Sequence, residues 1–221
     1  MMFMRYWQER RAVLQTAKDI FETGLVIGTW GNVSARVEGE PYMVITPSGM
    51  DYETLTVEDM IVVDWERNVV EGEFKPSVET PLHLEIYRKR PDISAVVHVH
   101  SPWATAFAVA GQHIPVILEE TAQVIGHEVG IAAYAPCGSK QLAKNVVQAL
   151  GEEKIAILLA NHGLIGLGED TASALRVCQI AEKTAMIAIY AKALGAAKAL
   201  APEDVELLNR GFKHYGQKRK K

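Results

Sequence analysis

Two histidines on one apolar segment are the residues best suited to bind a metal ion. The segment Ala95-Val96-Val97-His98-Val99-His100 has the apolar, β-branched composition of a buried strand. Side chains two residues apart on a strand share a face, so the Cα atoms of His98 and His100 would lie about 6.5–7 Å apart, and both imidazoles could bind one ion. A shared cation would satisfy both buried rings, whereas the alternative is two core histidines with separate backbone partners.

A third histidine, His162, follows the apolar run 155–160 in the sequence Asn161-His162-Gly163. Catalytic zinc commonly takes three protein ligands and keeps one position open. Three imidazoles also suit zinc better than magnesium or calcium, which prefer oxygen ligands. The three histidines therefore predict a zinc site. The remaining histidines belong to no such pattern and are predicted to be structural or exposed: His83, His113, His127 and His214.

Three turns of small residues could form an anion-binding pocket. They are Gly28-Thr29-Trp30-Gly31-Asn32-Val33-Ser34, Thr46-Pro47-Ser48-Gly49 and Lys75-Pro76-Ser77. Glycine lets the backbone approach an anion closely, and successive amide groups can form an anion-binding nest. None of the turns has a nucleotide-binding pattern such as GxGxxG or GxxxxGK[ST]. If they converge, they resemble a phosphate pocket made of neutral donors; ordinary turns are the alternative.

Two further residues could move protons. Glu79 lies at the start of a predicted helix, where the helix dipole favours a carboxylate, so helix capping is the alternative to acid/base catalysis. Tyr215 follows Leu207, Leu208 and Phe212, whose amphipathic spacing gives the tail apolar anchors. Taken alone, Tyr215 is an aromatic residue packed on its own chain.

The elements that would position these residues indicate an α/β protein. Periodicity predicts helices over 6–23, 78–90, 101–110, 139–150 and 171–194, and a helical turn over 56–59. Strands are predicted over 32–37, 42–45, 60–64, 69–71, 93–100, 116–118, 130–134, 155–159 and 164–166. No repeat, linker or domain break interrupts the pattern. We therefore expect residues 1–221 to form a single three-layer domain, a mixed sheet with helices on its faces.

Composition and charge exclude several classes of partner. The net charge is −4, so no global field favours nucleic acid or an anionic membrane, and the basic run 218–221 is predicted to be a solvated tail. No stretch of eighteen apolar residues occurs, and the N-terminus lacks the apolar core of a secretory signal, so we expect a cytoplasmic protein. Cys137 and Cys178 have no CxxC spacing and are predicted to be buried free thiols.

The chain resembles the class II aldolase/adducin family, whose sugar-phosphate branch includes L-fuculose-1-phosphate aldolase and L-ribulose-5-phosphate 4-epimerase. The motifs that carry the resemblance occur in family order over nearly the whole chain: GTWGNVSAR from Gly28, ITPSGMDY from Ile45, KPSVETPLH from Lys75, AVVHVHSPWAT from Ala95, LLANHGLI from Leu158 and FKHYG from Phe212. The resemblance implies an α/β/α domain around a mainly antiparallel sheet. It also implies a cyclic homotetramer with active sites between subunits.

The resemblance implies roles for individual residues. His98, His100 and His162 would bind one zinc ion per subunit, Glu79 would be the acid/base of an aldolase, and Tyr215 would reach a neighbouring subunit's site. The positions that match the family's phosphate-binding residues are Thr29, Gly31, Asn32, Ser48, Gly49 and Ser77. The implied reaction is reversible cleavage of a ketose or deoxyketose 1-phosphate to dihydroxyacetone phosphate and an aldehyde.

Departures from the family pattern leave two alternatives open, a sugar-phosphate 4-epimerase and an adducin-like interaction module without catalysis. Val78 replaces a serine of many members, and fuculose-phosphate aldolase has a tyrosine near Glu119, which precedes Glu120. Epimerases have an aspartate near Gln123 and usually aspartate at the position of Glu79, so these two differences favour an aldolase. The motifs TWGN, PSGMDY and ETPLH look more like the epimerase, and all three histidines count against the non-catalytic alternative.

Overall fold

An eight-stranded sheet forms the frame of the computed structural model, which describes residues 4–212. Its strand order is β4-β3-β2-β1-β5-β8-β7-β6, and within the described residues only β6 and β7 run parallel. The sheet confirms the predicted α/β class with a mainly antiparallel mixed sheet. The strands are β1 Asn32–Arg36, β2 Tyr42–Ile45, β3 Ile61–Asp64, β4 Val69–Glu71, β5 Ala95–Val99, β6 Gly130–Ala132, β7 Ala156–Leu159 and β8 Gly163–Gly168.

Helices cover both faces of the sheet. The strand neighbours Val96 and Val97 point to opposite faces and belong to two separate apolar clusters. One cluster packs the sheet against α1, α3 and α6, and the other packs it against α2 and α5. The result is a three-layer α/β/α arrangement. The helices are α1 Trp7–Glu22, α2 Thr80–Lys89, α3 Pro102–Ala110, α4 Glu119–Val124, α5 Lys140–Leu150, α6 Thr171–Ala193 and α7 Pro202–Phe212, with a 3₁₀ turn at Val57–Asp59.

The predicted strand over 116–118 is wrong. Ile114 instead forms an isolated bridge with Val129, and the carbonyl of Val116 accepts a hydrogen bond from the Leu200 amide at 2.9 Å. The backbone of Val116 therefore bonds to the segment before α7, and no strand forms over 116–118. The helix α4, which the sequence did not predict, follows at once and packs against α7. All the other predicted elements agree with the structure within two residues at each end.

Among residues 4–212, no helix combines the length and the apolar character needed to cross a bilayer. His214, Tyr215 and the basic run 218–221 lie outside the described residues.

Candidate metal centre and active site

Three imidazole rings meet at one end of the central strands. His98 is on β5, His100 follows that strand, and His162 lies in the turn between β7 and β8. The antiparallel register places Val99 opposite Leu164, so the end of β5 meets the turn that carries His162. The ring centroids of the three histidines are 4.8 to 4.9 Å apart. The histidines singled out by spacing are therefore neighbours in space.

The hydrogen bonding of His98 leaves one of its ring nitrogens free to face the other rings. His98 Nδ1 lies 3.0 Å from the Leu164 carbonyl oxygen. Because a carbonyl can only accept, Nδ1 donates, and the neutral ring keeps its lone pair on Nε2. That Nε2 lies 2.9 Å from His100 Nε2, and one ring nitrogen from each of the three histidines lies within 4.8 Å of the other two. Three nitrogen donors, one oriented by a second hydrogen bond, fit a zinc ion.

The turn that carries His162 depends on a close backbone approach. Asn161 has a left-handed φ of 56°, a conformation that asparagine adopts more readily than most residues. A Cβ atom at Gly163 would lie 2.4 Å from the Val99 carbonyl oxygen and 3.1 Å from a His98 ring carbon. Glycine therefore lets the turn press against β5 and brings His162 to the other two histidines.

The carboxylate of Glu79 lies beside the three rings, although the residue begins a helix. Glu79 is the N-cap residue of α2, yet its side chain makes no capping hydrogen bond, so the capping interpretation is wrong. Its Oε2 accepts a hydrogen bond from Asn32 Nδ2 at 2.9 Å and lies 3.0 Å from His98 Nε2. Its Oε1 lies 3.8 Å from His162 Nε2 and has no hydrogen-bond partner among the described residues. The side chain is buried, so this free oxygen marks a site for another group.

Charge interactions in this cluster shift the pKa values of its members in opposite directions. Burial alone would raise the pKa of Glu79, but the facing His98, with His162 and Asn32, outweighs burial and lowers it. Burial likewise opposes a charge on His98, but the Glu79 carboxylate raises the His98 pKa overall. Burial and the neighbouring histidines lower the pKa of His100 to about 3, so this ring is a neutral potential ligand.

All six residues predicted to bind phosphate line the cleft that contains Glu79. The cleft has a volume of about 250 Å³, and its wall also includes His100 and His162. The predicted residues contribute amide and hydroxyl groups but no charged side chain: Thr29, Gly31, Asn32, Ser48, Gly49 and Ser77. The structure thus brings the three predicted turns together, and their role in binding phosphate stays a prediction.

Short hydrogen bonds between the turns fix the shape of this cleft. The Ser48 amide donates to the Lys75 carbonyl at 2.9 Å, and the Ser77 amide donates to the Thr46 carbonyl at 3.1 Å. The hydroxyl of Tyr52 donates to the Gly31 carbonyl at 2.7 Å. The Thr46 amide also donates to the Val33 carbonyl at 3.1 Å, so backbone hydrogen bonds join all three turns.

Two of the departures from the family pattern lie on α4, away from the Glu79 cleft. Glu119, Glu120 and Gln123 are on α4, and Gln123 lines a second cleft with Asn209 of α7. None of the described residues lines both this cleft and the one that contains Glu79. Within one described chain, Gln123 is therefore not part of the Glu79 cleft.

Sequence reasoning missed Cys137, and the prediction that it is buried is wrong. Cys137 is exposed and lines the Glu79 cleft, whereas Cys178 is buried as predicted. Burial of part of the side chain and the Glu79 carboxylate raise the pKa of Cys137 to about 11. A usable signal was its position in Pro136-Cys137-Gly138-Ser139, a turn between β6 and α5.

The chain is similar over most of its length to proteins of one family. A family model described as Class II Aldolase and Adducin N-terminal domain matches residues 11–189. A 5-deoxy-D-ribulose 1-phosphate aldolase of Bacillus thuringiensis serovar kurstaki is 37% identical over 210 residues, covering 95% of this chain and 98% of the relative. The L-ribulose-5-phosphate 4-epimerase UlaF of Salmonella paratyphi B is 36% identical, with the same coverage. The solved structure of an L-fuculose 1-phosphate aldolase matches with a TM-score of 0.91 at 36% identity, covering 96% of this chain and 100% of its own. The chain therefore belongs to the class II aldolase and adducin N-terminal domain family.

Proposed function

We propose that this protein is a zinc-dependent aldolase that reversibly cleaves a ketose or deoxyketose 1-phosphate into dihydroxyacetone phosphate and an aldehyde. The observation that supports this most directly is the convergence of three imidazoles and the Glu79 carboxylate in a cleft lined by neutral phosphate donors. The similarity to a 5-deoxy-D-ribulose 1-phosphate aldolase makes that sugar the first substrate to test. Its cleavage between C3 and C4 gives dihydroxyacetone phosphate and acetaldehyde.

His98, His100 and His162 would hold the zinc ion, since each offers a ring nitrogen to the same point. When bound, zinc supplies a Lewis acid that polarises the substrate carbonyl and stabilises the negative charge that develops next to it. The neutral donors of the three turns are suited to hold the phosphate. The metal centre, and not these donors, would stabilise the developing charge.

Glu79 is the residue placed to move a proton at C3. Asn32 Nδ2 holds Oε2, which orients the carboxylate and leaves Oε1 without a partner. In the cleavage direction the C4 hydroxyl loses its proton as the C3–C4 bond breaks, and Glu79, protonated by exchange with solvent, delivers a proton to the electron-rich carbon that is left. In the synthetic direction the Glu79 carboxylate removes that proton. Asn32 thus acts as a positioning residue for the acid/base group.

Ser77 links the phosphate region to the acid/base residue. Its Oγ accepts a hydrogen bond from the Glu79 amide at 3.2 Å, so the hydroxyl hydrogen remains available for a phosphate oxygen. The next residue, Val78, is 63% exposed and offers no side-chain donor. Phosphate contact at this point would therefore come from Ser77 and from backbone amides.

The proposal includes a cytoplasmic homotetramer of single-domain subunits, with Tyr215 completing a neighbour's site. Support comes from the family resemblance and from the separation of the α4–α7 region from the Glu79 cleft within one chain. In such a site Tyr215 would handle the proton on the aldehyde oxygen.

A sugar-phosphate 4-epimerase is the second candidate, because the epimerase UlaF is nearly as similar to the chain, at 36% identity, as the aldolase is, at 37%. Both reactions break the same kind of carbon–carbon bond, but an epimerase retains the aldehyde, turns it and closes the bond again. The two functions therefore differ in whether the aldehyde is released.

Product analysis tests the proposal. Zinc-loaded protein is incubated with 5-deoxy-D-ribulose 1-phosphate, L-fuculose 1-phosphate and L-ribulose 5-phosphate, and released triose phosphate is measured with a coupled reductase. We expect stoichiometric dihydroxyacetone phosphate from a 1-phosphate substrate, and release about 10²-fold or more slower from a Glu79→Gln control. Epimerisation of L-ribulose 5-phosphate without triose release would replace the proposal with the second candidate.

A further inference from the structure

A row of buried polar side chains lies between strand β1 and helix α2 and ends at the Glu79 carboxylate. Asn32 and Ser34 are two residues apart on β1, so they share one face of the sheet. Glu79, His83 and Tyr87 follow one another at intervals of four residues from the N-cap of α2, so they share one face of that helix. The two faces meet, because Asn32 bonds to Glu79 and Ser34 bonds to His83. All five side chains are buried.

The hydrogen bonds far from Glu79 run in one direction. Burial raises the pKa of Tyr87, so its hydroxyl keeps its proton, and its oxygen accepts a hydrogen bond from the Val96 backbone. The Tyr87 hydrogen is therefore donated to Ser34 Oγ, 2.8 Å away. Ser34 in turn donates its hydroxyl hydrogen to His83 Nδ1 at 2.7 Å. Burial lowers the pKa of His83 to about 3, although the Glu79 carboxylate opposes this, so the ring is neutral. With Nδ1 as the acceptor, the ring hydrogen is on Nε2.

Two buried atoms of this row complement each other. His83 Nε2 and Asn32 Oδ1 both lack a hydrogen-bond partner among the described residues. Asn32 donates from Nδ2 to Glu79 Oε2 at 2.9 Å, so Oδ1 is the acceptor end of its amide. The two bonds that join β1 to α2 start from positions about 6.5–7 Å apart along the strand, which leaves room for a small molecule between them. A single water molecule can accept from the ring and donate to the amide.

We propose that His83 is a positioning residue for Glu79, which acts through one buried water molecule and the Asn32 amide. His83 donates its Nε2 hydrogen to the water, the water donates to Asn32 Oδ1, and Asn32 Nδ2 donates to Glu79 Oε2. The inference rests on the proposed function, because it concerns the same acid/base carboxylate.

The direction of these bonds explains what His83 contributes. An asparagine amide held only at its nitrogen end can turn over and present its oxygen to the carboxylate. Two acceptors would then face each other, and the Glu79 carboxylate would lose its orientation. A donor behind Asn32 Oδ1 prevents this, while Glu79 Oε1 remains directed away from Asn32, 3.8 Å from His162 Nε2.

A high-resolution crystal structure of the zinc-loaded protein tests the water molecule by a readout other than activity. We expect a water oxygen about 2.7–3.2 Å from both His83 Nε2 and Asn32 Oδ1. A structure without a water molecule between these two atoms would overturn the inference, whatever the activity of the protein.

Two substitutions of His83 separate the two ends of its ring. The amide of asparagine is attached at the γ carbon, as Nδ1 is, so His83→Asn keeps a partner for Ser34 and loses the donor at Nε2. The amide of glutamine lies one bond farther out, as Nε2 does, so His83→Gln keeps the donor and loses the bond to Ser34. The measurement is hydrogen exchange with D₂O at the hydroxymethyl carbon of dihydroxyacetone phosphate, which requires Glu79 but no aldehyde.

We expect His83→Asn to slow this exchange about tenfold or more, because a displaced catalytic group loses rate steeply. Zinc content and affinity for dihydroxyacetone phosphate should not change, and His83→Gln should recover most of the lost rate. In protein that already has Glu79→Gln, His83→Asn should slow the exchange no further, since the carboxylate that it positions is absent. General damage to the fold would slow both backgrounds.

Exchange at the wild-type rate in His83→Asn would overturn the inference and leave the proposed function intact. Equal losses in His83→Asn and His83→Gln, or equal losses with and without the Glu79 carboxylate, would also overturn it. A zinc-loaded wild type that exchanges no hydrogen at this carbon would instead reject the proposed function, and the crystal structure would then decide whether His83 holds Asn32 through water.

Discussion

At the scale of single residues, Glu79 shows how a side chain is taken out of its ordinary structural role. It occupies the N-cap of α2 but turns away from the helix amides and toward Asn32 and His98. A buried carboxylate with one oriented and one unpartnered oxygen is suited to proton transfer. The local sequence signal, a glutamate after a Ser-Val turn, is shared by ordinary helix starts, so position alone could not separate the two roles.

We expect Glu79→Gln to lower turnover by about 10²-fold or more, the usual scale for a lost general acid/base, while zinc stays bound. The amide keeps the shape of the side chain and loses the proton chemistry. Steady-state rates and elemental analysis check this, with Glu85→Gln, a carboxylate of the same helix outside the cleft, as the control. A near-normal rate would show that Glu79 is not the acid/base, and loss of zinc would make it an essential ligand.

We expect one zinc ion per chain, with metal content falling in each of His98→Ala, His100→Ala and His162→Ala. The reason is that each ring supplies one of three mutually close nitrogens, and two are too few for a stable catalytic centre. Elemental analysis of purified proteins is the measurement. His113→Ala, in which the lost ring paired with Glu128 at the surface, should keep its zinc. Full occupancy in the triple variant would contradict the assignment.

A fourth histidine, His83, links the site to the core. It is fully buried, and its Nδ1 lies 2.7 Å from Ser34 Oγ, which lies 2.8 Å from the Tyr87 hydroxyl. Burial lowers the pKa of His83 to about 3. Below the ordinary pKa of histidine, about 6.5, the unfolded chain therefore binds a proton that the folded chain excludes.

The free energy of unfolding should therefore fall as the pH drops from 6.5 toward 3, and His83→Asn should remove this part of the decrease. Between pH 6.5 and pH 5 the wild type should lose about 2 kcal/mol more unfolding free energy than His83→Asn, at about 1.4 kcal/mol per pH unit. Urea unfolding with a chelator present, so that metal binding contributes to neither protein, measures it. His113→Asn serves as the exposed control. Equal pH dependence in the wild type and His83→Asn would show that His83 titrates alike in both states.

At the scale of elements, the regular parts of the chain were predictable and the irregular parts were not. Strict alternation placed His98 and His100 on one face of β5, because a strand leaves little freedom in side-chain direction. The six-residue helix α4 was missed, since a short helix has too few turns to show a period, and α7 was recognised only as an amphipathic spacing of Leu207, Leu208 and Phe212. Cys137 was assigned to the core on its residue type, although the Pro-Cys-Gly-Ser turn around it indicated a surface.

The turn between β7 and β8 is the element on which the metal centre most depends. We expect Gly163→Ala to lower both zinc occupancy and stability, because the new Cβ would lie 2.4 Å from the Val99 carbonyl oxygen and would push His162 away. Zinc titration and urea unfolding measure the two effects. The matched control is Gly211→Ala, a helical glycine with nothing within 4 Å of the added carbon, which should be neutral or stabilising. Wild-type zinc affinity in Gly163→Ala would show that the turn adapts without moving the ligand.

At the scale of the whole molecule, helix α7 and the Glu79 site line different clefts. Asn209 of α7 donates hydrogen bonds to the carbonyls of Ala122 and Gln123, so the last described helix is held against α4. Phe212 lines the cleft beside it, and among residues 4–212 this cleft shares no lining residue with the Glu79 cleft. The role of Tyr215 in a neighbour's site therefore stays a prediction from the family resemblance.

Mixing two inactive variants tests that arrangement. Suppose that Tyr215 completes a neighbour's site in a closed ring. A site is then intact only where a chain with Glu79 meets a neighbour with Tyr215. Subunit exchange between Glu79→Gln and Tyr215→Phe should therefore restore about one quarter of the sites. Activity after verified exchange is the measurement. The control replaces Tyr215→Phe with the double variant Glu79→Gln/Tyr215→Phe, in which no chain has Glu79 and no activity should return. Exchange must be complete, and both parent proteins must be folded and zinc-loaded. If the mixture of Glu79→Gln and Tyr215→Phe then shows no activity, Tyr215 serves its own subunit or no site at all.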